Sequence, residues 1–295
     1  MHYKKTALLL ALLSTNVYAD GFSASVGGDY STGKYGANES TDVFYLPLNA
    51  SYTAGRMTYK LTVPFLRVTG PGDIVPGGLG GSGGGSTVVT TTNNCRSINS
   101  GSGNSGGAGN GQKICDTVTS TVSGAPPATT TQRTRTTESG LGDISAAATF
   151  NALDNVDWLV DFTGKIKFPT GSESKGLSNG ETDYALQANV EKWFGATFVG
   201  AGLGYRWLGE PDGFSYDNIT YGSLEAGYKF NDKFTAGVSY DWATAAIDDA
   251  SKPQEVSIYG SYRLNNNYKL NAVLYSGLSN ASPDVGAGLT LSYYF

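Results

Sequence analysis

The residues of this chain best suited to chemistry are charged, and they recur at alternate positions. Asp29, Asp161, Asp183, Glu191, Glu225 and Asp241 share one face of a series of alternating segments with Lys60, Lys165, Lys167, Arg206, Lys229, Arg263 and Lys269. An unpaired charge out of water is costly, so a face on which acids and bases meet like this either forms ion pairs or borders water. Carboxylate pairs alone can run glycoside hydrolysis. Asp161 and Asp183 are the natural candidates, but Lys165 and Lys167 stand beside them and ion pairing is the simpler account. In the remaining reading the charges line a passage and filter solutes by charge.

Other chemistries lack their residues. The single histidine, His2, lies in a leader-like segment, so hydrolysis that needs a histidine base has none in the remaining chain. Cys95 and Cys115 are the only cysteines. With no histidine to join two thiolates a metal site is not expected, and in an oxidising compartment the pair is expected to form a disulfide. Closing a loop of that size contributes about 3 kcal/mol of order. Glycine runs such as 77–86 have neither the lysine nor the helix of a phosphate loop. No catalytic residue, cofactor or metal is expected.

The elements that would position the charged face are strands. Residues 1–5 are basic, 6–14 are apolar, and Val17-Tyr18-Ala19 precedes Asp20 as a small-residue cleavage site, so 1–19 reads as a signal peptide. Its removal takes Lys4 and Lys5 and shifts the net charge from −5 to about −7, which argues against nucleic acid as a partner. No stretch of the mature chain approaches the ~20 apolar residues of a spanning helix. Period-two alternation predicts twelve strands at 22–30, 43–53, 56–67, 143–152, 157–168, 182–193, 196–207, 218–230, 233–243, 255–264, 268–277 and 284–295.

Every second connection is short: Ala54-Gly55, 154–156, Phe194-Gly195, Asn231-Asp232 and 265–267. Tight turns alternating with long loops are the layout of an outer-membrane barrel, turns in the periplasm and loops outside. Aromatic residues on the apolar faces fall into two girdles: Phe150, Trp158, Phe194, Phe230, Phe234, Tyr262, Tyr268 and Phe295 near the turns, and Phe65, Phe168, Trp207 and Trp242 near the loops. The last strand alternates Val285, Ala287, Leu289, Leu291, Tyr293 and Phe295 with small uncharged residues. The expected fold is all-β, a transmembrane up-and-down antiparallel barrel of twelve strands over 20–295, with lipid and lipopolysaccharide around it. The insert at 68–142, rich in glycine, serine and threonine, is expected to fold into the lumen, cover the mouth or project outward.

One stretch is specific enough to indicate a family. Ser139-Gly140-Leu141-Gly142-Asp143-Ile144 opens the fourth strand, and Lys167-Phe168-Pro169-Thr170-Gly171 is followed by Lys175-Gly176-Leu177-Ser178-Asn179-Gly180-Glu181-Thr182-Asp183. Physically this is a turn device, with proline ending a strand and Gly171, Gly176 and Gly180 permitting the tight loop. The pattern resembles the outer-membrane transporter family named for the meta-pathway of phenol degradation. That resemblance implies a passive outer-membrane channel for small solutes, often aromatic or hydrophobic, and no enzyme. The terminal Phe295 resembles the signature by which barrel assembly machinery recognises its clients. The rival expectation is a surface structural or adhesion barrel with a closed lumen, whose long loop is the functional part.

Overall fold

The computed structural model describes residues 20–35, 39–70, 75–76, 89–90, 135–211, 215–246 and 250–295. The leader and both cysteines lie outside the described residues, and with them the expected signal peptide and disulfide. The strands are β1 (Gly21–Gly33), β2 (Thr41–Ala54), β3 (Met57–Gly70), β4 (Val75–Pro76), β5 (Val89–Thr90), β6 (Thr136–Leu141), β7 (Ile144–Asp154), β8 (Trp158–Phe168), β9 (Asp183–Phe194), β10 (Thr197–Trp207), β11 (Ile219–Lys229), β12 (Phe234–Ala243), β13 (Gln254–Arg263), β14 (Tyr268–Gly277) and β15 (Val285–Tyr294). β4 and β5 pair only with each other. All other pairings are antiparallel, and the register from Ser23↔Tyr294 to Thr32↔Val285 joins β1 to β15 and closes the sheet.

β6 and β7 together make one stave of the wall. β6 pairs with the outer half of β3, Gly70↔Thr136 to Phe65↔Leu141, and β7 with the inner half, Thr62↔Ser145 to Met57↔Phe150. The described residues thus form a closed barrel of twelve staves. The break falls beside Pro64, which has no N–H to give the ladder, and the Gly142 N–H donates to the Pro64 carbonyl at 3.0 Å.

This corrects the insert boundary. β3 continues to Gly70 and strand pairing resumes at Thr136, so 136–141 belong to the wall and not to the loop. Thr136-Thr137-Glu138-Ser139-Gly140-Leu141 carries no apolar alternation, and only its backbone pairing with β3 makes it a strand. The other strand ends fall within a few residues of the sequence reading.

Outward positions are exposed and apolar on every side, among them Leu48, Leu61, Leu186, Leu203, Leu224 and Leu289. A continuous belt of this kind is a lipid-facing surface. Three of the tight turns share one device. Asn155, Asn231 and Asn265 each accept two backbone N–H groups on Oδ1 at 2.9 Å, from the residues two and three positions on. The second donor in each case is a girdle aromatic, Trp158, Phe234 or Tyr268, so the turn fixes the ring at the membrane boundary.

On the inner face, large rings stand opposite glycines. Phe198 is paired across the ladder with Gly227, Tyr221 with Gly204, Tyr259 with Gly237 and Tyr275 with Gly286. A Cβ on any of these glycines would run into the facing ring, so each ring lies along the wall over a glycine instead of projecting into the lumen. Replacing Gly286 by Val should therefore lift Tyr275 off the wall and cost about 2 kcal/mol. Urea unfolding of the detergent-folded barrel, followed by tryptophan fluorescence, measures that loss.

Candidate functional site

Alternation and register put all thirteen charged candidates on the inner face, in distinct rows. Hydrogen-bonded neighbours run Lys60, Ala147, Lys165, Ala185, Arg206, a basic row whose cations are spaced by alanines. Lys165 interacts with both Lys60 and Arg206 as a like charge. A second row runs Glu191, Gly200, Glu225, Ser239, and a third Asp161, Asn189, Gly202, Ser223, Asp241, Glu255. Lys229, Arg263 and Lys269 lie at the periplasmic ends of their strands, with Arg263 and Lys269 directly paired. Asp29 lies on β1, beyond Gly288 of β15.

Neutral donors hold several of the acids. The Tyr275 hydroxyl donates to Asp29 at 2.6 Å, the Tyr259 hydroxyl to Glu225 Oε2 at 2.9 Å, and Ser239 to Asp241 at 2.8 Å. Asn151 donates to Asp161 at 3.0 Å, and Trp193 Nε1 donates to Glu191. Tyr221 crosses Gly204 in the same way to reach Gln187 at 3.3 Å. At the periplasmic rim Lys229 pairs with Asp232 at 2.8 Å and, through that hydrogen bond, holds the exposed carboxyl below its ordinary value. Asp161 stands opposite Asn189 while Asp183 stands opposite Lys167. The two carboxylates are therefore separated by six positions along the sheet, about 20 Å, too far for a glycosidase pair. Among the described residues no group of three or more histidine, cysteine or carboxylate ligands could hold a metal ion.

The motif between Gly142 and Asp183 does more than turn the chain. Lys167 Nζ lies 3.1 Å from Asp143, 3.0 Å from Asp183 and 2.7 Å from Asn179 Oδ1, so its three N–H bonds find three acceptors in a buried site. Asp143 also accepts the Gly171 N–H at 3.0 Å, and Asp183 the Gly209 N–H at 3.0 Å. Thr170 accepts from the Ile144 N–H and donates to the Gly142 carbonyl. Gly176 and Gly180 hold φ of 66° and 78°, where a side chain is strained. Pro169 ends β8.

The loop so fixed turns Leu177 into a buried cluster with Tyr35, Val43, Leu66 and Val68 at the outer end of the barrel. A second cluster, Ile219, Tyr221, Ala243 and Ala246 with Leu208 and Tyr216, lies on other staves. Burial pushes the Tyr35 and Tyr216 hydroxyls above the ordinary phenol range. Both clusters take in residues beyond the strand ends, Tyr35 and Leu177 in the first and Leu208, Tyr216 and Ala246 in the second.

Residues 100–295 match the family described as "Putative MetA-pathway of phenol degradation". The chain belongs to this family. Its match to the phenol-degradation family leaves out β1 to β5, and it contains the whole 139–183 motif. None of the curated proteins matches the sequence. The fold is similar to the crystal structure of the COG4313 outer membrane channel from Pseudomonas putida F1, with 15% identity, a TM-score of 0.63, and 95% of this chain and 97% of that chain covered. The P. putida toluene transporter TodX (11% identity, 97% and 94% covered, TM-score 0.44) and the KdgM porin (8%, 92% and 99%, TM-score 0.48) match more loosely and add nothing to that likeness. A closed barrel of this fold with an apolar outer belt is a protein of the bacterial outer membrane.

Reading charges alone missed the inward rings Tyr221, Tyr259 and Tyr275, together with Trp193, Phe198 and Glu255. Their odd or even position in each strand marks them as inward as clearly as it marks the acids. In this member of the phenol-degradation family the Lys167 site should be structural: Lys167→Met leaves two buried carboxylates facing each other and should cost about 3 kcal/mol. A fall in the urea-unfolding midpoint of the detergent-folded barrel is the expected result.

Proposed function

We propose that the protein is a passive outer-membrane channel through which small solutes cross down their gradient. The observation that carries this reading is the inner wall: Lys60 is exposed to the lumen, and the large rings lie along the wall over glycines. Twelve staves stand between eight, whose interior side chains fill the barrel, and the sixteen or more that leave a wide channel. A narrow passage follows. Membership in the phenol-degradation family supports aromatic or hydrophobic compounds among the solutes.

Related proposals concern the ends and the insert. Residues 1–19 act as a signal peptide, and 20–295 form the mature barrel. The barrel assembly machinery recognises the end of β15. Phe295 donates its N–H to the Phe22 carbonyl at 3.0 Å and packs edge-on against Tyr293, which supports a presented terminal aromatic. Cys95 and Cys115 are joined by a disulfide within the insert, and the inward charges Asp29, Lys60, Asp161, Lys165, Glu191, Arg206, Glu225, Asp241, Lys229, Arg263 and Lys269 contribute to solute selection.

Purified protein in a planar bilayer should give discrete single-channel steps, and deletion of 72–134 should raise their conductance if the insert obstructs the passage. Absence of steps in both forms overturns the channel reading.

A further inference from the structure

The charged rows do not ring the lumen evenly. Lys60 and Lys165 stand on β3 and β8, whereas Glu225 and Asp241 stand on β11 and β12. In the closed order of twelve staves β12 lies six staves from β3 in either direction, diametrically opposite. The rows are also inclined. Lys60 is near the periplasmic end of β3, yet the row it starts ends at Arg206, next to the outer end of β10. A strand tilt of ~40° makes such a row climb about 3 Å per stave.

On β10 the acidic row passes through Gly200, six residues below Arg206. The five-stave climb from β3 to β11 offsets that step, so Glu225 stands level with Lys60. Asp241, one row further up and one stave further on, reaches the height of Lys165. At matching heights Glu225 thus stands five staves from Lys60 and Asp241 four staves from Lys165, bases on one side and acids on the other, while Asp161, Glu191, Lys229 and Arg263 lie nearer the periplasmic end. The acids are positioned by Tyr259 and Ser239, and Lys165 stands between Ala147 and Ala185 in its row.

We propose that this pair of walls sets a transverse electric field that favours small zwitterions, solutes carrying a carboxylate at one end and an ammonium at the other. A zwitterion turned across the lumen meets both walls with opposite charge, which a neutral solute of equal size cannot do and a mono-ion does with one end only. This inference rests on the channel reading and names its solute class.

Proteoliposome swelling measures it, with glycylglycine as the zwitterion and erythritol as a neutral solute of similar size. In the unaltered protein glycylglycine should enter faster. Lys60→Gln with Lys165→Gln, and separately Glu225→Gln with Asp241→Asn, should each reduce the glycylglycine-to-erythritol ratio several-fold. Reversal potentials in a KCl gradient should meanwhile move in opposite directions, toward cation selectivity in the first variant and anion selectivity in the second. Lys60→Arg with Lys165→Arg, which keeps the charge, should retain the ratio and controls for folding.

A ratio unchanged in both neutralised variants, or raised in either, overturns the inference while leaving the channel intact. An unaltered protein that conducts nothing overturns the channel reading and this inference with it.

Discussion

Every other feature of this molecule answers to one constraint: in the lipid core each backbone N–H and C=O must find its partner within the protein. An open sheet would expose two edges, so β15 must return to β1, and the strands must alternate because one face meets lipid and the other does not. Where the ladder fails, the chain repairs it locally. Pro47 stands opposite Pro64, two residues without N–H groups, and the neighbouring stave breaks there into β6 and β7. The Gly142 N–H is turned onto the Pro64 carbonyl, and the Asp143 side chain next to it pairs with Lys167.

Closure also fixes how much room the lumen has. Tyrosines pointing into a narrow barrel would fill it, and the opposite glycines remove that conflict by letting each ring lie flat. The hydroxyl then reaches past the glycine to an acceptor, as Tyr275 does to Asp29 and Tyr221 to Gln187. A glycine, a ring and a polar acceptor form one unit that tiles the wall and satisfies a buried group. The inner acids Asp29, Glu225 and Asp241 keep their positions through such neutral donors.

Much of this was legible in the sequence because the side-chain period of a strand is two. The apolar outer positions, the short turns and the inward charges all follow from that single rule. β6 was illegible for the converse reason: Thr136 to Leu141 lies against the outer half of β3, with no apolar period to announce it. The role of Lys167 was hidden differently. Asp143, Asn179 and Asp183 are near one another only because the Pro169 loop folds back over the wall, and no spacing rule brings residues 143 and 183 together. The glycines of that stretch do explain a turn, yet what the turn accomplishes is the burial of a cation and of Leu177.

The terminal strand makes the same point at the seam. Gly286 and Gly288 look idle in the sequence, small residues on the inner face of a strand without charge. In the closed barrel Gly286 lies under the Tyr275 ring, and a Cβ at Gly288 would stand 2.7 Å from the Asp29 carboxylate. Their smallness is what allows Tyr275 of β14 to reach across β15 to Asp29 of β1. The last strand therefore gives up its own side chains so that strands from the two ends of the sequence can be fastened to each other over it.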